Sequence, residues 1–283
     1  MYRIATSQIA QSAIININKH QSNMDSIVQQ ISSGKKNNLD PLEKTQQLSY
    51  NVSISNKAQN IRNGDTVMPN LVSQESTLGA ISDRLMQLHE LMISSQNPVM
   101  KDEPSLKENL SAIKKDILAL ANTKDSQGNY LFSGYKSQTK PFPDLDTYNG
   151  DQGVSSIRIG DNTLVNINIT GEKIITNNLK DAFNKLENYL NNGVNDQSMI
   201  ESVQKSLADV SLQRTITGLN INKIENFSNI NEDMMIQYKE RLSQVEDADM
   251  PKLVSELSAA KTATEASLKS YAMIQNLSLF NYL

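Results

Sequence analysis

The chain holds only two histidines, His20 and His89, and no cysteine. His89 opens the run HELMI, and a zinc-binding His-Glu helix needs a second histidine one turn on, where this chain has Ile93. His20 falls on the apolar seam of a helical pattern, where a partly buried, hydrogen-bonded imidazole is a simpler expectation than a metal ligand. A calcium loop is suggested by DLDTYNGDQG, from Asp144 to Gly153. However, Tyr148 stands at its fifth position and Ser155 where a closing glutamate is required, so a turn is expected. No phosphate loop, dinucleotide glycine fingerprint or nucleophile elbow occurs. Acidic residues such as Glu240, Glu246, Asp247 and Asp249 are abundant, but most read as helix surface. Thus the residues that could do chemistry do not converge, and neither an enzyme nor a cofactor is expected.

Composition narrows the remaining classes. Of 283 residues, 38% are hydrophobic and 5% aromatic, with eleven Met and no Trp, so apolar surface is spread along helices instead of gathered in one thick core. A net charge of −4 without a basic stripe argues against a nucleic-acid partner. No apolar run approaches the ~18 residues of a membrane span, so insertion into a membrane is not expected. Gln8, Gln11, Ser12 and Asn16 interrupt any signal-like apolar region near the start, so the expectation is a chain either cytosolic or exported by a route that reads no cleavable signal.

Helical periodicity dominates. Ala10, Ile17, Met24 and Ile31 stand seven apart, with Ala13, His20 and Ile27 between them and Ile14 and Val28 widening the stripe. SSGKKNNLDP then ends the segment, because Gly34 can take a left-handed cap and Pro41 cannot continue a helix. Near the other end Pro251 suits a first helical turn. Leu253, Leu257, Ala260, Leu268, Tyr271, Ile274 and Leu277 follow at helical spacing. Neither terminal stripe can be left in water, so packing between chains is favoured over a private hairpin. Between them four further stripes are expected. Leu71, Leu78, Leu85 and Met92 form one, with a kink or short break at Gly64 and Pro69. Leu106, Leu110, Ile113, Ile117 and Leu120 form the next. Ile200, Val203, Leu207 and Val210 form another, and a separate stripe after Gly218 runs from Ile221 to Val245.

One window departs from this pattern. Tyr130, Phe132, Tyr135, Phe142 and Tyr148 crowd together around Gly134, Pro141 and Pro143, although the chain has only nine Tyr and five Phe. After them, SSIRIGDNTLVNINITGEKII alternates apolar and polar around the turn Gly160-Asp161-Asn162, as a small β insert would. Large rings can anchor a sheet too small to be stable alone. Tyr130, Phe132, Gly134, Tyr135 and Phe142 are therefore expected to hinge and anchor the insert on the helices. The fold expected is mainly α: a long antiparallel helical bundle with terminal coiled-coil helices and a small inserted β domain. Its parts are 1–44 with 245–283, 45–128 with 178–244, and the insert at 129–177.

ANTKDSQGNYLFSGYKSQTKPF, from Ala121 to Phe142, closely resembles the segment that marks the bacterial hook–filament junction proteins (third hook-associated proteins) of the flagellin superfamily. Val245 to Leu283 resembles the same family and, more loosely, flagellin. ISSGKK and RTITGLNINKIE are similar to its first turn and its returning central helix. The loop before Pro41 is shorter than the family's, without its paired Asp, and Pro69 is unusual there.

The resemblance implies a structural, axial protein of the flagellum, exported unfolded by the type III pathway and placed extracellularly at the hook–filament junction. Its implied partners are hook-associated protein 1, flagellin, copies of itself in a ring, and an export chaperone that covers the C-terminal helix. The interface on assembly would then comprise Ile14, Ile17, Met24, Ile27, Ile31, Leu253, Leu257, Leu268, Ile274 and Leu277, in terminal helices that order on polymerisation. A flagellin paralogue and a cytosolic helical scaffold remain as alternatives. YLFSGYK and the final FNYL favour the junction protein over flagellin.

Overall fold

The computed structural model describes residues 2–97, 104–193 and 196–280, with side chains at 8, 11–97, 104–193 and 196–273. Six α-helices, one 3-10 turn and one two-stranded sheet are found among them. They are α1 (Tyr2–Ser33), α2 (Pro41–Ser95), α3 (Pro104–Ala121), β1 (Ser156–Gly160), β2 (Thr163–Asn166), the 3-10 turn Gly171–Lys173, α4 (Asn177–Asn192), α5 (Ser198–Glu246) and α6 (Met250–Phe280). The chain packs into two compact units. One draws on residues up to Ser55 and from Met235 on; the other is Asn56–Met234.

The second unit follows the heptads closely. Leu71, Leu78, Leu85 and Met92 of α2 are all buried, as are Leu106, Leu110, Ile113 and Ile117 of α3 and Val203 and Val210 of α5. α4 closes this core with Leu179, Ala182, Phe183 and Leu186, and ends at Gly193 in the left-handed conformation. A smaller core of Val67, Leu71, Ile159, Val165 and Ile224 lies under the sheet.

Three expectations are corrected. α2 runs unbroken through Gly64 and Pro69. Proline forfeits one backbone bond at a cost of about 3 kcal/mol, and burial of Val67 and Leu71 on either side offsets it. Gly64 faces Ile224, whose methyl would lie 2.8 Å from a Cβ there, so glycine serves close helix packing and not a break. The two stripes around Gly218 belong to one helix, α5; Thr217 beside it is buried with its hydroxyl on the Gln213 carbonyl. Lastly, the alternating segment forms only the hairpin β1–β2. Past Asn166 the chain turns irregular and enters the 3-10 turn, because Gly171 must approach the Phe142 and Tyr148 rings.

The hairpin is strapped to two helices by side chains. Asn63 donates to the Arg158 carbonyl at 2.7 Å and Asn231 to that of Ile159 at 2.9 Å. Gln74 donates to Ile167 at 2.9 Å and Asn220 to Asn166 at 3.1 Å. Lys57, nearly buried, places its ammonium 2.9 Å from both oxygens of Asp161 at the hairpin tip. Two strands alone are marginal in water, and these bonds supply what the missing sheet neighbours would.

Candidate assembly interface

In the first unit α1 and α6 pack antiparallel. Ile27, Leu253 and Ala260 are buried, and Met24, Ile31, Ala248 and Leu257 close around them. Thr264 interrupts the α6 stripe but is buried with its hydroxyl satisfied, donating to the Ala260 carbonyl at 2.8 Å. Of the ten residues expected at the interface, Met24, Ile27, Ile31, Leu253 and Leu257 are thus brought together within one chain. Ile17 is half-buried, whereas Ile14 is 44% and Leu268 50% exposed. The side chains of Ile274 and Leu277 lie outside the described residues. Val28 and Val254 add to the uncovered apolar surface on the same two helices. His20 is half-buried on α1, as its seam position implies.

An elbow joins α1 to α2 and is tied to the turn between α5 and α6. Gly34 takes φ 72° and closes α1 through its N–H to the Gln30 carbonyl. Lys36 N–H donates to the Glu246 carbonyl at 2.8 Å, and Ala248 N–H to that of Gly34 at 2.9 Å. Asp40 and Glu43 form a reciprocal capping box at the start of α2, with bonds of 2.7 and 3.0 Å. The run D-P-L-E carries the signal for this box, which a search for apolar stripes passes over. Asp249 caps α6 by accepting from the Lys252 N–H.

Glu246 is the centre of this joint. Its carboxylate is nearly buried and accepts from Lys35 Nζ at 2.5 Å and Gln47 Nε2 at 2.8 Å. Burial pushes its pKa up, but the Lys35 ammonium and the Gln47 amide outweigh burial and hold it below the usual glutamate range. Lys36 and the Asp40 N–H likewise lower Glu43, and the bond to Glu246 raises Lys35. A lowered carboxyl contributes stability that is present above its unfolded value, about 4.3, and is lost as pH falls through the folded value. Lys35 has the opposite sign: its contribution is present below about 10.4 and is lost as pH rises through the raised value. The elbow should therefore hold at neutral pH and loosen below about pH 4. Hydrogen exchange at the Lys36 and Ala248 amides checks this; Glu246→Gln should flatten the acid limb.

The aromatic window lies in the second unit. Phe132 and Phe142 are buried in the same core as Ile117 and Phe183, and the Phe142 and Tyr148 rings stand 5.1 Å apart. Asn122, at the end of α3, clamps Phe142 by accepting its N–H and donating to its carbonyl. The Tyr148 hydroxyl lies 3.0 Å from the Phe132 carbonyl and 2.8 Å from that of Asp151, and burial raises its pKa. Asp151 accepts from the N–H groups of Tyr135 and Gly153, which lower its carboxyl, and a Cβ on Gly134 would stand 2.1 Å from it. Gly134 also has φ 70°. Tyr130 is half-buried under the Lys124 ammonium, and Tyr135 stands outside with its hydroxyl on the Val154 carbonyl. Asp144 accepts from the N–H groups of Asp146 and Thr147, which makes the calcium-like stretch a turn. The pairings of Asn122 with Phe142 and of Asp151 with Tyr135 carried no signal in sequence, since those partners lie 20 and 16 residues away.

No cluster of His, Asp or Glu among the described residues could hold a metal ion, and no helix there is long and apolar enough to cross a membrane.

Residues 4–137 match the bacterial flagellin N-terminal helical region. Flagellar hook-associated protein 3 of Escherichia coli K12 is 24% identical, over 98% of this chain and 98% of its own length. A solved structure of a flagellar hook-associated protein from Vibrio parahaemolyticus superposes with a TM-score of 0.64 at 19% identity, covering 72% of this chain and 98% of that one. The flagellar junction protein FlgL from Legionella pneumophila gives 0.60 at 16% identity, covering 71% and 99%. These two show the shared fold. The whole-length match, with the flagellin-type N-terminal region, makes the chain a homologue of flagellar hook-associated protein 3, and these homologues are structural proteins of the flagellum, not enzymes.

Proposed function

We propose that the chain forms the junction between hook-associated protein 1 and the flagellin filament, as a ring of identical subunits outside the cell. The observation that carries this reading is the apolar surface that the α1–α6 pair leaves in solvent at Ile14, Val28, Val254 and Leu268. Residues already half covered gain roughly 1 kcal/mol each when a neighbour completes their burial, before ordering costs. Head-to-tail repetition of such contacts around a ring adds up, and such interfaces extend instead of closing into a small oligomer. The terminal helices, residues 1–44 and 245–283, form the inner layer and order fully only on polymerisation. Residues 45–128 and 178–244 form the next layer, and 129–177 face outward on the anchor of Phe132 and Phe142. Export is by the flagellar type III route without a cleaved signal peptide, with a chaperone covering α6 beforehand.

A strain lacking the chain tests this. Bare hooks with flagellin in the culture medium are expected. Bare hooks without external flagellin would make the chain the filament subunit. Normal filaments would overturn both.

A further inference from the structure

Three Asn-Gly pairs occur in the chain, Asn63-Gly64, Asn149-Gly150 and Asn192-Gly193. In such a pair the glycine nitrogen can attack the asparagine side-chain carbonyl, since no Cβ shields it. The attack needs that N–H free of a hydrogen bond and the asparagine amide free to turn.

Two of the pairs are locked. Gly64 lies inside α2, where its N–H belongs to the helical ladder, and the Asn63 amide is held on the Arg158 carbonyl at 2.7 Å. Gly193 donates its N–H to the Tyr189 carbonyl at 3.0 Å as the cap of α4. The third differs. Asn149 is exposed in the loop between Tyr148 and Asp151. Among the described residues its amide makes no hydrogen bond, and the Gly150 N–H has no acceptor. Its neighbours are fixed: Asn149 N–H bonds the Pro141 carbonyl and Asp151 N–H that of Ser133. The reacting pair is thus the loose link in a pinned loop.

We infer that Asn149 is a site of spontaneous deamidation in the folded protein, with water as the only co-reactant. A bond forms between the Gly150 nitrogen and the Asn149 Cγ, the Cγ–Nδ2 bond breaks, and ammonia leaves with the displaced proton. Water then opens the cyclic imide at either carbonyl, leaving an ordinary aspartyl or an isoaspartyl link in place of the asparagine. Either product adds a negative charge beside Asp151. The isoaspartyl form also lengthens the main chain by one carbon, one residue from Tyr148, whose hydroxyl bridges the Phe132 and Asp151 carbonyls.

The test is peptide mapping of the intact folded protein held in mildly alkaline buffer, with isoaspartate read by enzymatic methyl transfer. Deamidation at Asn149 should exceed that at Asn63 and Asn192 by at least about tenfold, because the other two must first open locally. In urea, where all three glycine N–H groups are free, that preference should shrink to within a few-fold. Asn149→Gln should abolish the folded-state signal while leaving the thermal transition unchanged. Comparable rates at all three pairs in the folded protein, or the same preference persisting in urea, would overturn the assignment.

Discussion

Phe132→Ala is expected to destabilise the second unit by about 3–5 kcal/mol, as removal of a fully enclosed phenylalanine usually does. The ring has no exposed surface, and the core around it includes Ile117, Phe142 and Phe183. Its backbone carbonyl also accepts from the Gly171 N–H and faces the Tyr148 hydroxyl, so collapse into the cavity would disturb bonds that tie three segments together. Urea unfolding followed by circular dichroism reads the change. Tyr135→Ala is the internal control. Its ring is 65% exposed, and its loss should cost about 1 kcal/mol or less. Equal losses from the two substitutions would mean that the rings do not divide into a buried anchor and an outer tyrosine.

The second large effect is expected on assembly. Leu257→Asp or Ile17→Asp should leave unfolding of the second unit unchanged and remove the protein from the flagellum. Leu257 packs on Ile27 and Leu253 in the apolar cluster of the terminal pair, and a carboxylate there would be desolvated among apolar side chains. Ile17 is half-buried on the same helix as Ile27. Desolvating an unpaired charge costs several kcal/mol, more than the roughly 1 kcal/mol that each half-covered side chain gains on packing. Isolated flagella probed with antibody should lack the variant, and flagellin should spill into the medium as in the deletion strain. Leu164→Asp on β2, where the leucine is exposed, should assemble normally. Filaments of normal length from Leu257→Asp would remove the terminal helices from the mechanism.

How much of this was legible beforehand depended on the range of the interaction. The seven-residue spacing of Leu71, Leu78, Leu85 and Met92 is local, and all four are buried. Gly34 as a left-handed cap and Pro251 in a first helical turn were equally local, because backbone geometry at those positions depends on a few neighbouring residues. The sequence resemblance rested on such runs together with the aromatic window. By contrast, the amphipathic run Asn177–Asn192 escapes the stripes read from the sequence, although Leu179, Phe183, Leu186 and Leu190 share one face of it.

By itself the sequence determined which residues need burial, where helices are capped and where no chemistry can gather. Those are properties of composition and of contacts within a turn or two. Only the tertiary structure decided that Pro69 sits inside an unbroken helix and that the sheet stops at two strands. It also decided that Glu246 is held by Lys35 and Gln47, which lie 211 and 199 residues away in the chain. Each of those outcomes balances a local cost against partners distant in the chain. Propensity cannot weigh such a balance, because the offsetting terms exist only once the distant partners have met.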